Sequence, residues 1–200
     1  KYYTRNREKF DYNLHTMYYL VSENFLKLIL LENDSQDIKR KLFLVRNEML
    51  SSGHFKTFFL EGRRITSVIF FGIFDDAVNL KEFEWAEKFV DETKKYIPQS
   101  ERDEMLNTVT MILKFFSGDV LDIFEQINKT KKKKTVHFIY SRIIKMMMLY
   151  ETDGMKALMF ETEAFKKYLQ RKQKINTDPP ALIKKSHAFN VCMSQLAKFR

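Results

Sequence analysis

The sequence predicts an all-α protein, a right-handed superhelical stack of antiparallel helix pairs. Three observations carry that expectation. The 200 residues hold only 5 Gly and 3 Pro, and the abundance of Lys, Glu, Leu and Phe favours long helices over many short strands. Apolar residues recur at steps of three and four through most of the chain, the period of one helix face. Short polar or glycine-bearing turns also return at near-equal intervals. Glu82 is followed after 36 residues by Gly118, and Gly118 after 35 by Asp153. A period near 35 is that of a two-helix repeat.

Taken in order, Phe10, Leu14, Met17, Val21, Phe25 and Leu28 trace one face of a helix over 10–31. Ile38, Leu42, Val45 and Met49 trace a second, which Ser51-Ser52-Gly53 stops. The stretch ITSVIFFGIFDDAV at 65–78 leans towards a strand by propensity. No partner strand lies nearby, and the repeat register asks for a helix before Lys81. In LKEFEWAEKFV at 80–90, Phe83, Ala86 and Val90 form an inward stripe that Ile97 continues, with Phe89 beside it. Trp85 lies to one side of the stripe, placed to touch a neighbouring helix. Pro98 ends the segment.

Met105, Val109, Ile112 and Phe116 mark the next helix. After the Gly118 turn come Val120, Phe124 and Ile127, with Ile123 widening the stripe. Over 136–150 the apolar residues go almost all round: Val136, Ile139, Ile143, Met147 and Tyr150 on one face, Phe138, Ile144, Met146 and Met148 on the rest. Such a helix is enclosed by neighbours. Its partner runs from Gly154 to about Lys172, with Ala157 near its start and Leu158, Phe165, Tyr168 and Leu169 inward. Asp178-Pro179-Pro180 opens a last helix over 180–199, expected to bury Leu182, Phe189, Met193 and Leu196. The clearest repeat units are 62–98, 103–128 and 135–172, giving about nine helices in one domain over 1–200.

The paired helices, the period and the helix–turn–helix order resemble tetratricopeptide-like repeat proteins, most closely over 62–172. KEFEWAEKFVDETKKYIP, preceded by an apolar helix, is also similar to segments of an uncharacterised bacterial helical-repeat family. The pattern departs from the tetratricopeptide one where the first helices lack their usual Gly and where Asp122 replaces an Ala. The resemblance implies a longer array of which this chain is the C-terminal part. It makes Phe83, Trp85, Ala86, Phe89, Gly118, Gly154 and Ala157 structural repeat positions. It also implies a concave groove, lined by the first helix of each pair, that binds a peptide or protein segment.

The residues give little to an enzyme. There is no GxxxxGK[ST], GxGxxG or GxSxG pattern, and His15, His54, His137 and His187 stand apart with no ligand spacing to a carboxylate. Asp75 and Asp76, adjacent on a helix, diverge by about 100° and read as a helix-end or solvated pair. Cys192 is the only cysteine and reads as a small core residue. No catalytic, cofactor or metal residue is expected, and an enzyme ranks third among the functions. A lone cysteine and no apolar run of about 18–20 residues suit a chain of the cytoplasm that does not span a membrane. The first residue is Lys and no leader pattern follows, so a fragment is expected.

Charge is the one marked asymmetry. Residues 1–128 hold 18 Lys/Arg against 21 Asp/Glu, or −3, and residues 129–200 hold 17 against 5, or +12. Lys129, Lys131, Lys132, Lys133 and Lys134 fall in a loop between units, and Lys166, Lys167, Arg171 and Lys172 follow in the same half. If these converge they attract an anionic partner. The leading expectation is a non-enzymatic protein-interaction scaffold with a peptide or protein partner, acidic in character. A nucleic-acid-associated or regulatory module is the alternative. It ranks lower because the aromatics that could stack bases fall on inward stripes.

Overall fold

Asp11 opens the first long helix by accepting a hydrogen bond from the Leu14 N–H at 2.8 Å, an N-cap placed just ahead of an apolar-periodic run. The computed structural model describes residues 6–55, 66–119, 123, 127, 135–175 and 180–199, and its regular elements there are helical. They comprise eight α-helices: α1 (Tyr12–Glu32), α2 (Gln36–Ser51), α3 (Ser67–Asn79), α4 (Phe83–Thr93), α5 (Gln99–Ser117), α6 (Thr135–Glu151), α7 (Met155–Ile175) and α8 (Pro180–Phe199). Short 3-10 turns occupy Arg7–Lys9 and Lys94–Tyr96. The ninth helix expected around Val120, Phe124 and Ile127 lies mostly outside the described residues, although Ile123 and Ile127 themselves are buried. The chain divides into two compact units, Lys1–Gln99 and Ser100–Arg200.

In the first unit each helix packs on the next, α1 on α2, α2 on α3 and α3 on α4. The stretch with strand propensity is helix α3, capped by Thr66. Its apolar residues cluster by helical period, so Phe70, Phe71, Ile73, Phe74, Ala77 and Val78 are buried together. Burial of each such aromatic is worth about 1.5–3 kcal/mol, which exceeds the small helix penalty of Phe, Ile and Val. Phe70 meets Phe89 of α4 at 5.3 Å between ring centroids. Ala86 is fully buried, and having no side chain beyond Cβ it lets α4 approach its neighbours closely.

In the second unit α6 packs on α7, α7 on α8, and α6 also touches α8. No residue of α6 from Val136 to Tyr150 is exposed, as a helix apolar all round requires. Met146 and Met148 are core residues. Ile139, Met146, Leu158, Phe165, Leu169, Ile183, Met193 and Ala197 form one buried cluster. Buried Thr108 of α5 is hydrogen-bonded to Nδ1 of buried His137 of α6 at 3.0 Å.

Some inward assignments need correcting. Phe116 and Leu196 are exposed, and Cys192 lies on an outer face. On α8 the buried positions are Ile183, Ser186, Asn190, Met193 and Ala197. That stripe includes two polar residues, which a search for apolar periodicity passes over, and it turns Cys192 and Leu196 outward.

Three of the turns that suggested the repeat share one hydrogen-bond pattern. At the end of α3, Lys81 N–H donates to the Val78 carbonyl and Glu82 N–H to that of Ala77. At the end of α5, Gly118 N–H donates to Phe115 and Asp119 N–H to Lys114; at the end of α6, Asp153 N–H donates to Tyr150 and Gly154 N–H to Leu149. Each is a Schellman cap with its pivot in the left-handed region, at φ 62° for Lys81, 82° for Gly118 and 57° for Asp153. Only Gly118 occupies that region without a Cβ penalty. Lys81→Gly should therefore stabilise the first unit by about 0.5–1 kcal/mol. Urea unfolding read by tryptophan fluorescence tests this, and a lowered midpoint would refute it.

Candidate functional site

Helix α7 turns Leu158, Thr162, Phe165 and Leu169 inward, at steps of three and four. The same geometry sends Lys156, Met159, Phe160 and Glu163 outward. Opposite them α8 presents the small Ser194 and, one turn on, Lys198. These residues and Thr162 line a cleft of about 320 Å³ between the two helices. Its most prominent walls are apolar and accessible, since Phe160 is 79% exposed and Met159 47%. Lysines 156 and 198 are the cations of the lining and Glu163 is its one acid.

The scaffold beneath the cleft is tied by polar groups. Asn190 Nδ2 of α8 donates to the Thr162 carbonyl of α7 at 3.1 Å. Glu161, nearly buried, accepts from Arg142 and, at 2.7 Å, from Lys145, which joins α6 to α7. Arg142 also lies over the Phe138 ring, at 4.8 Å from its centroid. These contacts fix the backbone of α7, so its outward side chains stand on a rigid support.

Beyond Glu163, α7 carries no acid to its end at Ile175. Lys166, Lys167 and Arg171 are exposed there, whereas Lys172 is half-buried, with its ammonium 5.9 Å from the Tyr168 ring. Lys172 and Lys174 stand in the last turn, where they also offset the negative end of the helix dipole. Lys129, Lys131, Lys132, Lys133 and Lys134 lie outside the described residues. The repeat positions Phe83, Trp85, Ala86 and Phe89 fall together in α4, with Trp85, Ala86 and Phe89 buried and Phe83 half-buried. Gly118 is exposed in its turn, and a Cβ on half-buried Gly154 would meet Leu149 Cδ2 at 3.1 Å.

Two groupings escaped the sequence. In the first unit, Arg46 Nε lies 3.1 Å from Glu23 Oε1 and its Nη1 bonds Asp76, with both Arg46 and Glu23 buried. Asp76, near the end of α3 and 36% exposed, is therefore an ion-pair partner as well as a helix-end acid. The only advance signal was a charge set among apolar neighbours, Glu23 in α1 and Arg46 between Val45 and Met49. His15 and His54, 39 positions apart in sequence, also come together, with ring centroids 5.8 Å apart. Tyr12 stacks on His54 at 4.3 Å, and Tyr19 meets it edge-on at 5.1 Å. Among the described residues no group of three or more His, Cys, Asp or Glu could hold a metal ion, and no helix is long and apolar enough to cross a membrane.

No family model, no curated protein and no solved structure matches the chain.

Proposed function

We propose that this chain forms a tetratricopeptide-like α-solenoid that works as a non-enzymatic protein-interaction scaffold. Its α7–α8 cleft takes an acidic protein segment with a bulky apolar anchor. The repeated Schellman caps after α3, α5 and α6 support the repeat reading, because helix-pair repeats reuse one turn. One observation carries the function: Met159 and Phe160 stand exposed on a rigid helix between Lys156 and Lys198. An aromatic left in water beside a cleft is a ready anchor point, and the flanking cations select the sign of its partner. The docking surface falls on the second helix of its pair and the terminal helix, because α6, the first helix, is enclosed.

Peptide display on the 200-residue chain tests the proposal. Enriched sequences should combine Phe, Trp or Leu with flanking Asp or Glu. Phe160→Ala and the cleft-filling Ser194→Trp should each weaken the selected peptides about tenfold or more, with helicity unchanged. Failure to enrich, or binding indifferent to both substitutions, would overturn it. The acid-free stretch of α7 favours a second reading, nucleic acid. That reading instead predicts binding of a labelled oligonucleotide with a log–log salt slope of several units, insensitive to Phe160.

A further inference from the structure

The outward face of α1 carries six large apolar side chains: Leu14 at 52% exposure, Met17 at 57%, Val21 at 62%, Phe25 at 61%, Leu28 at 62% and Leu31 at 84%. The buried residues of this helix, Thr16, Tyr19 and Glu23, lie on the opposite side, towards α2. The sequence marked the apolar stripe, and the structure turns it to solvent. Its spacing is regular. Leu14, Met17, Val21, Asn24, Leu28 and Leu31 alternate steps of three and four, with Leu14, Val21 and Leu28 at heptad position a and Met17, Asn24 and Leu31 at d. A strict a/d seam is the geometry of two helices winding together, narrower than the face a helix needs against a globular core.

We propose that α1 pairs in parallel, along this seam, with α1 of a second copy of the chain. A parallel pair brings like layers together, so Asn24 meets Asn24 and the two carboxamides hydrogen-bond to each other. A shift of register by one heptad would set the amide against Met17 or Leu31, and that unmet bond is what fixes the alignment. Charge at the seam edges agrees. Lys27 at position g of one copy faces Glu32 at position e of the other, and symmetry repeats the pair. An antiparallel pair would instead bring Glu32 opposite Asp11, two acids. The Lys27 side chain is 45% exposed and reaches the buried Glu23 of its own helix at 2.9 Å, on the side away from the seam, so pairing with Glu32 of the other copy needs its ammonium to swing across. Tyr18 and Phe25, also at e, widen the apolar cover.

Sedimentation of the whole chain across about 1–100 µM should show a dimer. Val21→Glu with Leu28→Glu should give a monomer of unchanged helicity, because both side chains already face solvent. Glu32→Lys should weaken the homodimer about tenfold with helicity unchanged, because it sets a second cation against Lys27 of the other copy, and raising the salt concentration should narrow the gap to the wild type. In a Cys192→Ser background, Asn24→Cys should cross-link on oxidation, because only a parallel pair sets residue 24 against itself. A wild-type monomer over the whole range would overturn the proposal, as would a dimer that survives the double Glu substitution. A monomer that co-sediments with phosphatidylserine vesicles would also overturn it and would assign the face to lipid.

Discussion

Replacing Arg46 by Ala should destabilise the first unit by about 3–5 kcal/mol, the usual consequence of leaving a buried charge without its partner. Arg46 and Glu23 are each almost wholly enclosed, at 3% and 4% side-chain exposure. With the guanidinium gone, Glu23 retains only Lys27, which is half in water and a weaker partner. Exchanging both buried charges for apolar residues, Glu23→Leu with Arg46→Met, should cost much less than Arg46→Ala alone, because of the three charges only Asp76, 36% exposed, then remains. Tryptophan fluorescence reads the unfolding, since Trp85, the only tryptophan, lies in the same unit.

The pH dependence gives a second check on the same group. Burial pushes the Glu23 carboxyl up, but Arg46 and Lys27 pull it further down, so the net shift is below its ordinary value of 4.5. A depressed carboxylate contributes stability that is complete above its unfolded pKa and fades as pH falls through the folded one. The wild-type first unit should therefore lose stability below about pH 4.5. In Arg46→Ala the balance tips towards burial, and the sign should reverse, with stability gained as pH falls from 7 and Glu23 takes up a proton. Parallel pH profiles for the two proteins would show that the ion pair does not set the titration.

The parts of the fold that follow local rules were legible in the sequence. Helix α6 declared its enclosure by being apolar all round, and the polar turns at Glu82, Gly118 and Asp153 marked real helix caps. Periodicity also found the stripe on α1, but a stripe shows only that a face is apolar. Which side of α1 is buried depends on Glu23 meeting Arg46, 23 residues on, while Arg46 also bonds Asp76 a further 30 residues along. That pairing is long-range, and nothing in the local pattern of 10–31 announces it. The α7–α8 cleft was hidden for a related reason. Phe160 adds to the helix's apolar content without falling on its inward stripe, so composition counts it as core and geometry does not. On α8, Ser186 and Asn190 occupy inward positions that apolar periodicity assigns elsewhere. The basic half was legible as charge, yet only α7 shows how part of it is arranged.

Trp85→Ala should lower stability by about 3–5 kcal/mol, comparable to the loss of Arg46 but through a different mechanism. The indole lies parallel to Phe89 at 5.4 Å, with an interplanar angle of 3°, and meets Phe43 of α2 edge-on at 5.1 Å. It therefore bridges α4 to α2 across the aromatic cluster that α3 completes. Truncation removes the transfer term and both ring contacts, the latter worth about 0.5–1.5 kcal/mol each, and leaves a cavity walled by side chains that α3 holds in place. Trp85→Phe should cost about 1–2 kcal/mol, because one ring of the stack survives. Far-UV circular dichroism must follow these variants, since the fluorophore is lost. In the wild type, the tryptophan emission should be blue-shifted and poorly quenched by iodide. A Trp85→Ala midpoint equal to the wild type, or strong iodide quenching, would show that the ring is not packed and would reassign Trp85 as a surface anchor for a partner.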